Sequence, residues 1–148
     1  MMGRLFDWLR NVRRQRTSAP WIAMGRRGED LAHRYLRRRG YTIIARNFRL
    51  ASGIAEADLI AREGGDLVIV EVKTRASADF GPPDRAIDSE KLLHISRIAR
   101  DMGRRTGTSM EQVRLDVVTV VMTEPPRIDL WRGALRAEPE RDMSRTST

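Results

Sequence analysis

Three residues in the middle of the chain have the types and spacing of a metal-dependent hydrolytic site. They are Asp58, Glu71 and Lys73. Carboxylate oxygens are the ligands that Mg²⁺ prefers, and the ion usually takes one or two protein carboxylates together with water and substrate phosphate. A lysine ammonium beside such an ion can hold the attacking water and offset charge on a phosphate. The pattern therefore predicts hydrolysis of a phosphodiester.

A β-hairpin is expected to bring these residues together. Gly64-Gly65 lies between two alternating apolar segments, and glycine readily adopts the positive φ that tight hairpin turns require. A two-residue turn at this position places Asp58 opposite Glu71, and Glu56 opposite Lys73. Because side chains alternate along a strand, all four are expected on one face of the sheet.

The facing carboxylates of Asp58 and Glu71 need an explanation, since directly opposed residues have Cβ atoms only ~5 Å apart and like charges repel. A divalent metal between them removes the repulsion. The alternative is an ordinary salt bridge between Glu56 and Lys73 on a solvated face, with Asp58 merely near a turn. Glu29, at the edge of an apolar helical stripe, is a fourth candidate for the site. Its alternative is an acid in the first turns of a helix, stabilised by the helix dipole.

The composition indicates a nucleic-acid partner. The net charge is +8, the isoelectric point is about 11.2, and all basic residues except Lys73 and Lys91 are arginine. A cationic surplus on a small domain attracts polyanions, although codon usage in a GC-rich genome also enriches arginine. Cysteine is absent, which excludes disulfides, iron–sulfur clusters and thiolate zinc sites. His33 and His94 lack zinc-type spacing, and Asp116 is expected to pair with Arg114 or another arginine.

The two ends of the chain are expected to be tails outside the folded domain. Residues 1–20 carry Leu5, Trp8, Leu9 and Val12 at helical spacing among arginines, which fits either a basic amphipathic helix or a frayed tail. Residues 137–148 are polar and expected to be disordered. No apolar run approaches the ~20 residues of a membrane helix, and no signal peptide is evident, so we expect a cytoplasmic protein without a membrane partner.

Residues 21–136 are expected to form one α/β domain. Gly25 and Gly28 lie in the stripe of the first helix and indicate close approach to a sheet, because glycine otherwise costs helix stability. Residues 67–70 are apolar on both faces, as in a strand covered by helices on both sides. The expected elements are a helix at Trp21–Arg39 ending at Gly40, strands at Tyr41–Phe48, Ala55–Arg62 and Leu67–Thr74, a helix capped by Asp88 or Ser89, and strands at Val113–Met122 and Arg127–Trp131.

Several short motifs together resemble the bacterial YraN family. They are Gly28-Glu29-Asp30-Leu31-Ala32, Arg46-Asn47-Phe48-Arg49, Glu56-Ala57-Asp58-Leu59-Ile60-Ala61, Val70-Glu71-Val72-Lys73-Thr74-Arg75 and Phe80-Gly81-Pro82. That family is assigned to the PD-(D/E)xK nuclease superfamily, which includes restriction enzymes and archaeal Holliday-junction resolvases. The chain departs from it by having Ala55-Glu56-Ala57-Asp58 where Gly-Glu-Ile-Asp is usual, and by a loop after Arg49 that is about two residues longer.

The resemblance implies a restriction-endonuclease-like fold with a mixed central sheet flanked by helices. By this resemblance Asp58, Glu71 and Glu29 are ligands of Mg²⁺ or Mn²⁺, and Lys73 is the catalytic lysine. It further implies phosphate contacts from Lys91, Arg75 and Arg49.

The expected function is a metal-dependent endonuclease acting on nucleic acid, DNA more than RNA, with branched or damaged DNA suggested by family analogy alone. The resolvases are dimers, so a homodimer is compatible with the resemblance. One alternative is a non-catalytic nucleic-acid-binding module accessory to DNA repair or recombination. Another is a protein whose basic face binds an acidic protein partner.

Overall fold

The computed structural model describes residues 19–51, 53, 55–77 and 89–136. Expectations for residues 1–18, for Phe80-Gly81-Pro82, for the cap at Asp88 and for residues 137–148 lie outside the described residues. The described elements follow the predicted order. They are α1 (Ala19–Arg38), β1 (Thr42–Arg49), β2 (Glu56–Glu63), β3 (Asp66–Arg75), α2 (Ser89–Thr106), a short 3-10 helix (Met110–Gln112), β4 (Val113–Val121) and β5 (Arg127–Arg136).

The strands form one mixed sheet in the order β1-β2-β3-β4-β5. β3 and β4 run parallel, and the other neighbours are antiparallel. A parallel pair needs a crossover connection, which here contains α2. The expected α/β fold is confirmed, and the five-stranded mixed sheet flanked by two helices is compatible with a restriction-endonuclease-like fold. Neither helix is apolar enough along its length to cross a membrane.

The two helices cover opposite faces of the sheet. The α1 layer is built around Ala32, Leu36, Leu59, Val70, Val72 and Val118. The α2 layer is built around Ala57, Ile60, Ile69, Ile95, Ile98 and Val117. Residues 67–70 of β3 are all buried, which confirms the expectation of a central strand covered on both faces.

Helix α1 begins at Ala19, two residues before the expected start, so Pro20 lies in its first turn. Proline fits there because the first helical N–H groups have no partner within the helix. The helix ends at Arg38, and Gly40 with φ +90° reverses the chain. This helix end fits the predicted stop at Gly40.

Close approach of α1 to the sheet depends on one glycine. A Cβ built on Gly28 would overlap the Thr74 hydroxyl and lie 2.9 Å from the Thr74 Cβ. Gly25 has nothing within 4 Å of the same position. The expectation of a close contact is therefore confirmed for Gly28 and wrong for Gly25, which lies beyond the part of α1 that meets β3.

Both edge strands are irregular. The β1–β2 register shifts between Ile43 and Ala45, and Ile44 is 44% exposed there. β5 runs to Arg136, five residues beyond the expected end. It continues because a second register shift, near Gly133 with φ +60°, lets the strand bend and keep pairing with β4.

Candidate active site

The hairpin that was expected to align the site is present. Its pairing runs from Glu63↔Asp66 to Leu59↔Val70 around Gly64-Gly65, in the register predicted from the turn. The described pairing stops one step before Asp58 and Glu71. The two strands therefore separate at the residues for which a metal site is predicted.

Asp58 lies where β2 changes face. Leu59 packs in the α1 layer, whereas Ala57 packs in the α2 layer together with Ile60, so the regular alternation of the strand breaks at Asp58. The Asp58 Oδ2 atom accepts a hydrogen bond of 2.8 Å from the Val72 backbone N–H. This contact directs the carboxylate toward β3, next to the segment that contains Glu71 and Lys73.

Glu71 and Lys73 project from β3 on the side of α2. Val70 and Val72 pack in the α1 layer, and the residues between and beyond them on a strand point the other way. Both side chains are partly buried. In the parallel register Lys73 is beside Thr119 of β4, a 6% exposed residue that the sequence did not single out, because nothing in the sequence gives the β3–β4 register.

Glu56 does not share a face with Lys73. It lies between Ala55 and Ala57, both in the α2 layer, so it points away from that layer. Its carboxylate is 3.4 Å from Arg49 on the neighbouring strand. The expectation that all four residues share a face was wrong for Glu56, because the break at Asp58 reverses the preceding part of β2.

Glu29 lies on α1, the helix that covers the opposite face from Glu71 and Lys73. Its carboxylate is 3.9 Å from Arg46, and Asp30 accepts a hydrogen bond of 2.7 Å from the same guanidinium. Participation of Glu29 in a shared cleft stays a prediction.

The donors at this end of the sheet fit a hard divalent cation. Asp58 and Glu71 supply carboxylate oxygens at adjacent positions of separating strands, and two carboxylates suffice when water and phosphate complete the shell. Within residues 19–51, 53, 55–77 and 89–136, no group of three or more acidic, histidine or cysteine side chains is placed to hold a metal. Binding of an ion by Asp58 and Glu71, with or without a third carboxylate from Glu29, stays a prediction.

The expected phosphate contacts differ in their surroundings. The Arg49 side chain is 67% exposed and pairs with Glu56. Arg75 ends β3 and is partly buried, and this burial lowers the pKa of its guanidinium. Lys91 lies in the first turn of α2, but its side chain is outside the described part of the chain.

A second charged cluster lies at the hairpin end of the sheet. Arg114, 4% exposed, donates to Glu63 and Asp66 at 2.6 Å each and to Asp116 at 3.0 Å. Asp116 also accepts a hydrogen bond of 2.7 Å from the Tyr41 hydroxyl. The expectation that Asp116 pairs with Arg114 is confirmed, whereas the participation of Glu63, Asp66 and Tyr41 was missed.

The pKa shifts in this cluster follow from burial and its partners. Burial lowers the pKa of Arg114, but hydrogen bonds to Asp116, Glu63 and Asp66 outweigh it and leave the pKa raised. Burial raises the pKa of Tyr41 to about 12, assisted by Asp116 and opposed by Arg114. The cluster is therefore a structural network in which Arg114 stays charged and Tyr41 stays neutral.

Comparisons with known proteins agree with these observations. Residues 28–120 match the family described as "Uncharacterised protein family UPF0102", a span that contains Asp58, Glu71 and Lys73. A UPF0102 protein of Solibacter usitatus (strain Ellin6076) is 46% identical over 134 residues, covering 90% of this chain and 99% of the relative. One of Geobacter sulfurreducens is 44% identical over 108 residues, covering 72% of this chain and 83% of the relative. One of Persephonella marina is 41% identical over 101 residues, covering 68% and 84%. The resemblance to YraN proteins is thereby confirmed, and the chain belongs to the UPF0102 family.

Proposed function

We propose that this protein is a metal-dependent endonuclease that hydrolyses phosphodiester bonds in nucleic acid, with DNA as the preferred substrate. The observation that supports this best is the Asp58 carboxylate fixed against the Val72 N–H, at the point where β2 and β3 separate. That contact sets one acid beside a strand segment carrying a second acid and a lysine.

Each residue of the site has a separate task in this proposal. Asp58 and Glu71 hold Mg²⁺ or Mn²⁺, which when bound lowers the pKa of a water ligand and offsets charge on the scissile phosphate. Lys73 donates a hydrogen bond to the attacking water and stabilises negative charge that develops on the phosphate oxygens. The Val72 N–H orients the Asp58 carboxylate before substrate arrives, so this carboxylate does not have to be ordered during the reaction.

The charge of the chain supports a polyanionic substrate. At +8 the protein attracts phosphate backbones, and binding through phosphates is expected to weaken steeply as salt rises. A low aromatic content gives little support for base stacking on a single strand. A duplex bound through its backbone is therefore the favoured substrate.

A second candidate function is a nucleic-acid-binding module without turnover. It is favoured by the lack of a three-ligand metal cluster within the described residues. Such a module would retain the salt-dependent affinity for duplexes and lack any response to divalent ions.

Cleavage assays separate the two. Purified protein is incubated with linear, branched and single-stranded DNA and with RNA, with and without Mg²⁺ or Mn²⁺. We expect cleavage that requires the ion and falls at least about 100-fold in Lys73→Met. Arg104→Met, an exposed residue in the last turn of α2, is the matched control and should retain activity. Salt-sensitive binding without cleavage of any substrate would establish the binding module instead.

A further inference from the structure

A surface pocket opens where α1 ends and β1 begins. Its volume is about 490 Å³. Thr42 and Ile43 in its wall pair with Arg62 and Ala61, close to the hairpin turn. The pocket is therefore at the other end of β2 from Asp58. It is lined by His33, Arg37, Gly40, Tyr41, Thr42 and Ile43.

The pocket has a cationic wall. His33 and Arg37 are one turn apart on α1, so their side chains lie on the same face of the helix. Burial lowers the pKa of His33, and the positive charges of Arg46 and Arg37 lower it further. Asp30 acts in the opposite direction and is itself paired with Arg46 at 2.7 Å. Positive charge thus reaches His33 both from its own helix and from β1.

His33 also has an unused polar atom. Its Nδ1 atom is buried and has no hydrogen-bond partner among the described residues. A buried polar nitrogen without a partner is unfavourable, and buried polar groups are nearly always paired. Protonation makes both ring nitrogens donors, and an anion in the pocket beside His33 would offset the positive charges that disfavour the protonated ring.

At the end of α1, beside the pocket, two backbone carbonyl groups are already hydrogen-bonded. Carbonyl groups at a helix C-terminus normally repel negative charge. Here the Leu36 carbonyl accepts hydrogen bonds from the Arg39 and Tyr41 N–H groups, and the Arg37 carbonyl accepts one from Gly40. These contacts satisfy two of the carbonyl groups that a helix end leaves without a partner in the helix.

We propose that this pocket binds a phosphate group, with the Arg37 guanidinium and the protonated His33 imidazole as donors. The guanidinium offers several N–H groups in a planar fork that matches phosphate oxygens. The ligand is either a free phosphate or a phosphate of a nucleic-acid strand. The site does not depend on cleavage at Lys73, and it is retained if the protein proves to be a binding module.

Two histidines in the chain make the test direct, because His33 can be followed with His94 as an internal reference. Imidazole NMR signals are recorded with EDTA present, while inorganic phosphate replaces chloride at constant ionic strength. We expect the His33 signals to shift saturably and its pKa to rise, while those of His94 stay in place. The absence of a His33 shift, or equal shifts at both histidines, would overturn the proposal.

Variants and a second probe identify the source of the phosphate. Arg37→Gln should weaken phosphate binding about tenfold, the scale of one lost charge-assisted hydrogen bond. Arg38→Gln, exposed on the same turn and outside the pocket lining, should leave it unchanged. Equal losses in both variants would show diffuse attraction and overturn the site.

A short DNA duplex is the second probe. If it shifts the His33 signals, and shifts them less in Arg37→Gln, the ligand is a phosphate of the strand. A response to inorganic phosphate alone identifies the free anion as the ligand.

Discussion

Both ends of the sheet carry carboxylates that are at least partly buried, but the two sets of carboxylates have different surroundings. At the hairpin end, Glu63, Asp66 and Asp116 surround Arg114, which is 4% exposed. At the other end, the carboxylates of Asp58 and Glu71 lie where β2 and β3 separate, and both side chains are partly buried. The first arrangement links strands by ion pairs, whereas at the second the pairing of β2 with β3 ends.

The difference shows what distinguishes a structural charge cluster from a candidate reactive one. The carboxylate of Asp116 is fully buried and accepts hydrogen bonds from Arg114, from Tyr41 and from the Gly133 N–H, as a buried charge requires. The Asp58 carboxylate takes a backbone N–H at a break in the ladder. The partners of Asp116 are protein groups fixed by the fold, whereas the proposed partners of Asp58 and Glu71 are an ion and a phosphate.

Removing the central cation of the hairpin end should have the largest effect. Arg114→Met removes the partner that three carboxylates share, and the free energy of unfolding should fall by about 3–5 kcal/mol. Arg132→Met is the control, since Arg132 pairs with Glu63 but is 56% exposed, and it should cost less than about 1 kcal/mol. Urea unfolding followed by circular dichroism measures both. Equal losses would contradict the view of Arg114 as the centre of the network.

Neutralising an acid at the opposite end should act mainly through the ion. Asp58→Asn keeps an oxygen for the Val72 N–H and removes repulsion from Glu71, so metal-free stability should change by less than about 1 kcal/mol or rise. Wild-type protein should gain about 2.7 kcal/mol at an Mn²⁺ concentration about 100 times Kd, and the variant should lose that gain. Thermal melts with and without Mn²⁺ decide the matter. A wild type indifferent to the ion, or a variant destabilised like a core mutant, would make Asp58 structural.

Packing of α1 against the separating end gives a smaller effect. Gly28→Ala forces a methyl group onto Thr74 and should cost about 1–3 kcal/mol. Gly25→Ala meets nothing within 4 Å and should be neutral or stabilising by up to about 1 kcal/mol. Chemical denaturation of the pair gives the comparison. If Gly28→Ala were as stable as Gly25→Ala, the close approach of α1 to β3 would be disproved.

The smallest effect should come from pH. The pKa of Tyr41 is raised to about 12 by burial first and by Asp116 second, against about 10 in an unfolded chain. The unfolded chain therefore loses this proton first as pH rises. The stabilisation from the neutral hydroxyl is complete below pH about 10 and shrinks by roughly 1 kcal/mol toward pH about 11. Urea midpoints of wild type and Tyr41→Phe across this range should converge; parallel curves would count against the shift.

Local signals in the sequence were sufficient for the order of the elements and for the hairpin register, but not for the full length of β5. Gly64-Gly65 fixed the pairing of β2 with β3 because turn length and register are linked, and Gly40 marked the end of α1. The break at Asp58 could not be predicted in the same way. On β1, the paired residues on either side of Asn47 place it directly across from Asp58, and Asn47 has φ +49°. Neither residue on its own indicates from the sequence that the strand breaks here.

The long-range ion pairs of Arg114 could likewise not be predicted from the sequence. Arg114 joins acids 48 and 51 residues earlier in the chain, and only the parallel β3–β4 register brings them within reach. The pairing of Asp116, two residues after Arg114, was predictable because a charge in an apolar strand needs a partner of opposite charge. The identity of the other partners required the fold.

The connectivity of the Arg114 cluster also predicts when it forms during folding. Glu63 and Asp66 flank a tight turn, so their hairpin can close rapidly, whereas Arg114 arrives on a strand that must first cross over through α2. Closing that longer loop delays the pairing until most of the sheet is assembled. Arg114 is therefore expected to slow unfolding more than it speeds folding. Its loss should raise the unfolding rate while leaving the refolding rate nearly unchanged.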